Sequence, residues 1–286
     1  MNSLNMFAPV KFYAVFWVML LSLSRVVCAD EIALKGVIWH DGKIEQGGLI
    51  IAQLPKDSQA YLDEMPLPQS TDGYIAFGFH RDDIKTQILR ITDKDNQSHL
   101  TELTPQSRRY KTQSITGLAG KYVSPPQKVL DRIAKDRDNV TSARSLTSTQ
   151  DEFAKTGFNW PVQGTITGVY GSQRILNGQP RAPHYGIDIA APTGTAIHAP
   201  AAGIITLVED LYYTGWTIII DHGLGISSTY LHLSSVDVAV GDRVEIGAMI
   251  GKVGSTGRST GAHLDWRINW YQKRLDPQLA ANSPQP

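Results

Sequence analysis

The 286-residue sequence contains only one cysteine, Cys28. A secreted chain without a pair of cysteines forms no intramolecular disulfide, so its fold must depend on ordinary apolar cores. The sequence also lacks an excess of charge of one sign, because 27 basic residues balance 27 acidic ones. A near-neutral chain without basic clusters argues against nucleic acid as the main partner.

The N-terminal apolar run, residues 12–23, is too short to span a bilayer comfortably and has the length of a signal-peptide core. Small residues at Val27 and Ala29 predict cleavage after residue 29, which would remove Cys28 as well. We therefore predict a signal peptide over 1–29 and a periplasmic or secreted protein without an integral membrane segment after cleavage. An uncleaved membrane anchor is the alternative. The 257 residues that remain (286 less 29) suffice for two apolar cores.

Short apolar runs separated by turn residues predict a mostly β fold. The runs 48–52, 73–77 and 84–92 indicate an N-terminal β-sandwich-like module over 30–118. Glycine-punctuated apolar runs indicate a second, antiparallel β domain over 159–279. The last residues, 280–286, are short and polar and are predicted to be a disordered tail.

Residues 119–158 have the periodicity of a helix instead and are predicted to be a helical connector. Ser124-Pro-Pro-Gln127 has the composition of a helix N-terminus, with Ser124 as the N-cap. Apolar residues such as Val129, Ile133 and Val140 follow on one helical face. The connector is expected to pack on one domain, with a partner-binding helix as the alternative.

Histidines and carboxylates recur in the C-terminal region at spacings that suit a metal site. His184 and Asp188 are separated by a poor helix sequence, which favours a loop followed by a strand. His263 and Asp265 are two residues apart in a strand-like run, so both side chains should project from one face. His232 lies in another apolar strand-like run. This set supplies ligands for a metal ion with an open position and imidazoles for proton transfer.

The order and the flanking residues of these motifs resemble the LytM-like zinc endopeptidases, the M23 or lysostaphin-type peptidases, which cut peptide cross-links of bacterial cell walls. The resemblance covers about residues 158–279 and includes Pro-His-Tyr-Gly-Ile-Asp188, Tyr-Leu-His-Leu233 and Gly-Ser-Thr-Gly257. It implies an antiparallel β peptidase domain that holds one zinc ion and acts on peptidoglycan.

The resemblance also implies a role for each matched residue. His184 and Asp188 take the places of the first two zinc ligands, and Asp265 takes the place of the third. His232 and His263 correspond to the catalytic pair, which activates water and stabilises the reaction intermediate.

Asp265 departs from the family pattern, which has a second histidine at this position. A carboxylate binds zinc at a bond length close to that of imidazole, so a site is still expected. Two carboxylates around a dication leave no net charge, which should acidify bound water less and favour Mn²⁺ or another divalent ion more. We expect an active but electrostatically weakened metallopeptidase.

Two alternatives remain open. A degenerate member of the family could have lost its metal and could bind and activate a cell-wall amidase. A wall-binding module without catalysis would also account for the β structure, but it leaves the spacing of imidazoles and carboxylates unexplained.

The segments 172–183 and 254–261 flank the motifs and are expected to form the walls of a substrate groove. Arg174, Arg181 and Arg258 lie in these segments and are candidates to bind carboxylates of peptidoglycan stem peptides. Exposed arginines that only solvate the surface are the alternative.

Two further histidines match no motif position. His198 is expected at the surface, and His222 in a turn before Gly223. Neither is assigned a catalytic role, because a histidine without ligand spacing is ordinarily a surface or hydrogen-bonding residue.

Overall fold

The computed structural model describes residues 37–282. The fold is mostly β, with 42% strand and 13% helix, so the predicted fold class is confirmed. The predicted signal peptide, 1–29, lies outside the described residues. Within residues 37–282, no helix is both long and apolar enough to cross a bilayer.

The N-terminal part of the described chain forms two small antiparallel sheets. Its strands are β1 (Ile38–Asp41), β2 (Leu49–Gln53), β3 (Gln59–Leu62), β4 (Met65–Pro66), β5 (Tyr74–Gly78), β6 (Gln87–Thr92), β7 (Ser98–Leu103) and β8 (Thr112–Ile115). One sheet has the order β1-β2-β5 and the other β4-β3-β6-β7. All five residues of β5 are buried, whereas β7 has mostly exposed residues.

The connector contains short helical segments and one longer helix. They are α1 (Gly120–Val123), a 3-10 turn (Gln127–Val129), α2 (Leu130–Ser145) and α3 (Glu152–Thr156). The predicted N-cap at Ser124 is wrong, because Ser124 ends α1 and α2 begins only at Leu130. Pro126 has an extended backbone, and the 3-10 turn that follows it delays the start of α2.

The C-terminal part of the chain contains thirteen further strands in the described range. They are β9 (Thr165–Gly168), β10 (Gln173–Leu176), β11 (Gln179–Arg181), β12 (Ile187–Ala190), β13 (Ala196–His198), β14 (Gly203–Leu211), β15 (Gly215–Gly223), β16 (Ile226–Leu233), β17 (Ser235–Val236), β18 (Arg243–Val244), β19 (Met249–Lys252), β20 (His263–Trp270) and β21 (Lys273–Leu275). A short helix, α4 (Pro277–Ala280), follows.

One large antiparallel sheet organises these strands. Its order is β18-β14-β15-β16-β20-β12-β9, with β21 paired to β20. The predicted strand at Ile218-Ile-Ile220 lies in β15 and is fully buried. Helix α2 packs on this sheet, where Ala143 joins a buried cluster with Leu207, Leu211 and Ile219. A smaller sheet, β13-β19-β17, lies beside it.

Strand β8 leaves the N-terminal sheets and joins the C-terminal part of the chain. It pairs in parallel with β10, which in turn pairs with β11. Since β10 lies next to the predicted metal motif in sequence, this pairing carries residues 112–118 to the edge of the candidate site.

The sequence length was compatible with two separate cores, but one buried apolar cluster runs through both halves of the molecule. Phe77 of β5 meets Trp270 of β20 edge to face, with ring centroids 6.5 Å apart. At Gly78 an added Cβ would lie 2.6 Å from Leu275 Cδ2, so the strands approach closely here. The two β-rich parts therefore share a core, and the domain boundaries at 118 and 158 stay predictions.

The predicted disordered tail, 280–286, is wrong in its first part. Asn282 donates its backbone N–H to Phe158 O at 2.7 Å, and Ala281 forms a parallel bridge with Phe158. Asn282 Nδ2 also donates to Thr156 O at 2.7 Å. Residues 283–286 lie outside the described range.

Candidate metal centre

Two neighbouring strands and the loop before one of them bring three ligand-type side chains together. Asp188 on β12 and Asp265 on β20 are directly opposed in the antiparallel register, so both project from one face of the sheet. His184 lies in the loop that leads into β12, and only 1% of its surface is exposed. A Cβ at Gly168, on the neighbouring β9, would lie 2.2 Å from Asp188 Oδ2, so glycine leaves room for this carboxylate.

The facing atoms of these three residues have the spacing of a small cation's ligands. His184 Nε2 lies 3.0 Å from Asp188 Oδ1 and 3.4 Å from Asp265 Oδ2. Ligands of a tetrahedral zinc ion, each at its usual bond length, are about 3.3–3.6 Å apart. Among residues 37–282, His184 Nδ1 and Nε2 and Asp188 Oδ1 have no hydrogen-bond partner. Buried polar atoms rarely lack partners, so these residues fit a divalent metal ion.

Two arginines also bind the carboxylates. Arg267 donates from Nε to Asp265 Oδ1 at 2.9 Å and from Nη2 to Asp265 Oδ2 at 2.6 Å. Arg174 donates from Nη2 to Asp188 Oδ2 at 2.5 Å. The net charge expected for the centre from its three ligands alone is therefore incomplete, because two guanidinium charges already balance the two carboxylates. A dication added to this group would give a net positive centre rather than a neutral one.

The charges around the site keep both carboxylates ionised. Burial alone would raise the pKa of Asp265, but Arg267 and His184 hold it well below its ordinary value. Burial also opposes ionisation of Asp188, yet the charges of His184 and Arg174 lower its pKa. Both side chains are thus anionic at neutral pH and can act as ligands.

Two imidazoles face each other beside the carboxylates. The rings of His232 and His263 have centroids 4.9 Å apart. His232 Nδ1 donates to Thr256 O at 2.7 Å, and His263 Nδ1 donates to Gly261 O at 2.8 Å. A carbonyl oxygen only accepts, so Nδ1 carries the proton and Nε2 is the basic nitrogen in each neutral ring. His263 Nε2 lies 3.8 Å from Asp188 Oδ1.

His232 has an unusual backbone and a shifted pKa. Its φ of 66° is in the left-handed region, which non-glycine residues seldom adopt. The backbone N–H of His232 donates to Thr214 O at 2.9 Å, which holds the residue in this conformation. Burial, and then the neighbouring His263, lower the pKa of His232 to about 4, so this imidazole is neutral at physiological pH.

A cavity of about 300 Å³ opens in front of these groups. Asp188, His232 and His263 line it, together with Arg174 and Arg258 of the predicted groove. Its lining also includes the apolar residues 115, 118 and 176.

The third predicted groove arginine, Arg181, does not line this cavity. Its Nη2 donates to Val123 O at 2.7 Å instead. Arg258 lies over the Tyr213 ring, 4.8 Å from its centroid, so its guanidinium is also partly engaged.

The two other histidines of the region differ in burial. His198 is exposed, as expected. His222 is not in a turn but at the end of β15, fully buried, with Nδ1 2.8 Å from Ala202 O and Nε2 2.7 Å from Ser228 Oγ. Both ring nitrogens are bonded within the core, so His222 is a structural residue.

Sequence reasoning missed two features of this site. Arg267 follows Asp265 by two residues, and strand alternation alone would have placed it beside that carboxylate. The contribution of residues 113–118 to the cavity depends on the parallel pairing of β8 with β10, for which the sequence contains no local signal.

Residues 182–277 match the profile of peptidase family M23. This part of the chain belongs to that family. The matched M23 region contains the candidate metal ligands His184, Asp188 and Asp265 and the two facing histidines, and members of the family are typically zinc-dependent. The resemblance found in the sequence is thereby confirmed.

Relatives of the M23 region include hydrolases and an activator. The chain is 39% identical over 87 residues to "Peptidoglycan DD-endopeptidase ShyA" of Vibrio cholerae serotype O1, an alignment that covers 30% of this chain and 20% of that protein. It is 28% identical over 204 residues to "Murein hydrolase activator EnvC" of Escherichia coli K12, covering 66% of this chain and 48% of that protein. The aligned regions thus span less than half of either relative.

The fold also matches a solved structure beyond the M23 region. A crystal structure of a Pseudomonas aeruginosa protein assigned to peptidase M23 superposes with a TM-score of 0.64 and 28% sequence identity. The match covers 83% of this chain and 94% of that one, so it includes the N-terminal β structure as well as the M23 region.

Proposed function

We propose that this protein is a metal-dependent endopeptidase that hydrolyses peptide cross-links of peptidoglycan in the cell envelope. The observation that carries the proposal is the convergence of buried ligand atoms without hydrogen-bond partners, His184 Nε2 and Asp188 Oδ1, beside Asp265 and two oriented imidazoles.

His184, Asp188 and Asp265 would hold one zinc ion, or another divalent ion such as Mn²⁺. When bound, the ion supplies Lewis acidity toward the scissile carbonyl and toward water. His232 and His263 would handle the protons, because both rings line the cavity and each Nδ1 is held by a carbonyl oxygen, which leaves Nε2 as the basic nitrogen. The neutral imidazole of one can accept a proton from water, and the other, once protonated, can donate a hydrogen bond to the developing oxyanion.

The cavity suggests a peptide substrate with carboxylate groups. Arg258 lies at its edge, and Arg174 is within it although paired to Asp188. Stem peptides of peptidoglycan carry carboxylates that such guanidiniums can bind. The name of the Vibrio relative, a peptidoglycan DD-endopeptidase, supports the same substrate class.

The first test is a zinc titration of the purified chain by calorimetry, followed by mass spectrometry of muropeptides after incubation with peptidoglycan. We expect one zinc ion per chain and new cross-link cleavage products that disappear with chelator. The variant His184→Ala should lose both zinc and products. His198→Ala is the matched control, since His198 is exposed and lies outside the site. Absence of stoichiometric zinc binding by the wild type would reject the enzyme proposal.

A second candidate function, activation of a cell-wall amidase by a metal-free M23 fold, is supported by a separate observation. Arg174 and Arg267 already neutralise both carboxylates, which allows the buried group to be stable without an ion. The similarity to the murein hydrolase activator extends over 66% of this chain. If this function is correct, the zinc-free chain will accelerate a purified amidase on peptidoglycan and will yield no cross-link products of its own.

A further inference from the structure

A second polar cluster lies farther along the sheet face that carries Asp265. Strand register places Ser227 of β16 opposite Asn269 of β20, and Asn269 opposite Arg274 of β21. Thr229 is likewise opposite Arg267. Since opposed residues and residues two apart share a face, all five side chains project together.

Helix α2 adds a third guanidinium to this face. Arg144, in the last turn of α2, donates from Nη2 to Thr229 Oγ1 at 3.3 Å. Only 4% of Arg144 is exposed, so its charge is almost completely removed from water. A salt bridge would be the ordinary partner of such a group, but no carboxylate among residues 37–282 lies within 4.0 Å of it.

The cluster is rich in donors and poor in acceptors. Arg144 Nε, Asn269 Nδ2 and Ser227 Oγ are buried and have no hydrogen-bond partner among the described residues. Asn269 Oδ1 accepts from Arg274 Nη1 at 3.3 Å, which orients the amide so that its donor side is free. The three unpartnered groups can all donate, so an acceptor would satisfy them together.

The charges in this cluster, like its free hydrogen-bond donors, favour the binding of an anion. Asp265 is the carboxylate partner of Arg267, which leaves the guanidiniums of Arg144 and Arg274 without an anion in the described residues. Burial, and then the charge of a neighbouring arginine, lower the pKa of both Arg144 and Arg274. An arginine stays protonated even so, and the charge of Arg144, which is almost completely buried, is costly without a counterion.

We propose that Arg144, Arg274, Asn269 and Ser227 form a binding site for a divalent oxyanion, with the chemistry of sulfate or hydrogen phosphate. An ion with two negative charges balances the two uncompensated guanidiniums, and its oxygens accept from the unpartnered donors. The site is separate from the candidate metal centre, and Arg267, the partner of Asp265, lies between the two on β20.

The test uses the full chain and sulfate as the probe. The thermal midpoint is measured against increasing sulfate, with chloride at matched ionic strength as the reference. We expect sulfate and hydrogen phosphate to raise the midpoint by several degrees more than chloride does. Acetate, with a single charge, should have a smaller effect. A larger effect of acetate than of sulfate, or a midpoint that depends only on ionic strength, would overturn the proposal.

A variant tests whether the effect of sulfate on the thermal midpoint arises at the proposed oxyanion site. Arg144→Met keeps an unbranched apolar stem and removes the charge, and we expect an affinity for sulfate at least about tenfold lower, the loss of one charged hydrogen-bond donor. Arg137→Met is the matched control, because Arg137 is on the same helix, with 73% of its side chain exposed. Its sulfate response should equal that of the wild type. Equal responses in Arg144→Met and wild type would contradict the assignment.

A crystallographic measurement on the wild-type protein does not require any variant to fold. Crystals soaked in selenate, a heavier analogue of sulfate, should show an anomalous peak within hydrogen-bond distance of Arg144 Nε and Asn269 Nδ2. A selenate-soaked structure without that peak would overturn the proposal. Arg274→Met provides a second variant if Arg144→Met does not fold, and it should lose the sulfate response in the same way.

Discussion

Arg267 donates hydrogen bonds to both carboxylate oxygens of Asp265, with donor–acceptor distances of 2.9 Å from Nε and 2.6 Å from Nη2. The two residues are two positions apart on β20, so their side chains share a face and the pair forms within one strand. At the position where the family has histidine, this chain thus has a carboxylate together with its own counterion. The guanidinium of Arg267 adds a positive charge beside the centre. Because the two side chains form an ion pair, a substitution at one position should change the effect of a substitution at the other.

Asp265→His alone should be strongly destabilising, although it restores the family residue. The substitution leaves the largely buried guanidinium of Arg267 without its carboxylate, a loss of about 3 kcal/mol in the free energy of unfolding. The double variant Asp265→His with Arg267→Gln should recover at least about 1 kcal/mol of this loss. Urea denaturation of wild type, both single variants and the double variant gives the coupling energy. Additive effects would show that the pair is not coupled.

His232→Ala and His263→Ala should each reduce turnover without removing the metal. General acid–base groups of this kind contribute about 10²–10⁴-fold to rate. Muropeptide cleavage is the activity readout, and zinc content by calorimetry is the second readout, which should remain at the wild-type value. Loss of zinc in His232→Ala would place this residue among the ligands and contradict the roles proposed here.

Arg108→Met should weaken the contact between the N-terminal and C-terminal parts. Arg108 Nη1 lies 2.8 Å from Asp276 Oδ2, and the Asp276 side chain is only 1% exposed. Removing the guanidinium leaves a buried carboxylate unpaired, so the free energy of unfolding should fall by about 3 kcal/mol. The neighbouring exposed residue is the control, and Arg109→Met should change stability by less than about 0.5 kcal/mol. Chemical denaturation measures both.

The stability of the protein should fall as the pH decreases from 6.5 toward 4, in part because of His222. Burial lowers the pKa of this histidine from 6.5 to about 4, so in this range the unfolded chain binds a proton that the folded chain does not. Unfolding is therefore favoured progressively, up to about 3 kcal/mol at pH 4, since one pKa unit corresponds to about 1.4 kcal/mol.

The matched variant for this pH effect is His222→Gln, which removes the titrating group. It should be less stable than the wild type at pH 7, because Ala202 O or Ser228 Oγ loses a partner. The difference between its stabilities at pH 7 and pH 5 should nevertheless be smaller than in the wild type. An unchanged pH dependence would show that His222 is not responsible.

The parts of the site that follow from strand alternation could be predicted from sequence. His263 and Asp265 are two apart, and the structure places both beside Asp188 on one sheet face. The glycine-punctuated apolar runs likewise identified the mostly β fold, because the physical signal lies within each run. The burial of Ile218-Ile-Ile220 follows from the same local pattern.

The parts that depend on tertiary contacts could not be predicted in this way. Arg174 looked like a free groove residue, but the fold directs it to Asp188, fourteen residues along the chain. In α2, the apolar face expected from the sequence includes Val140 and Ala143, and both pack against the sheet, but the burial of Arg144 beside them was not predicted. A charged residue gives no local signal for burial, and the contact of Arg144 with Thr229 depends on how the helix lies on the sheet.

The shared core makes the two parts of the chain depend on each other for the burial of apolar surface. The edge-to-face contact of Phe77 with Trp270, and the close approach of Gly78 to Leu275, belong to both halves of the chain. Removal of the N-terminal part would expose these apolar surfaces of the C-terminal part to water. The N-terminal β structure therefore covers apolar surface of the part that holds the candidate metal centre.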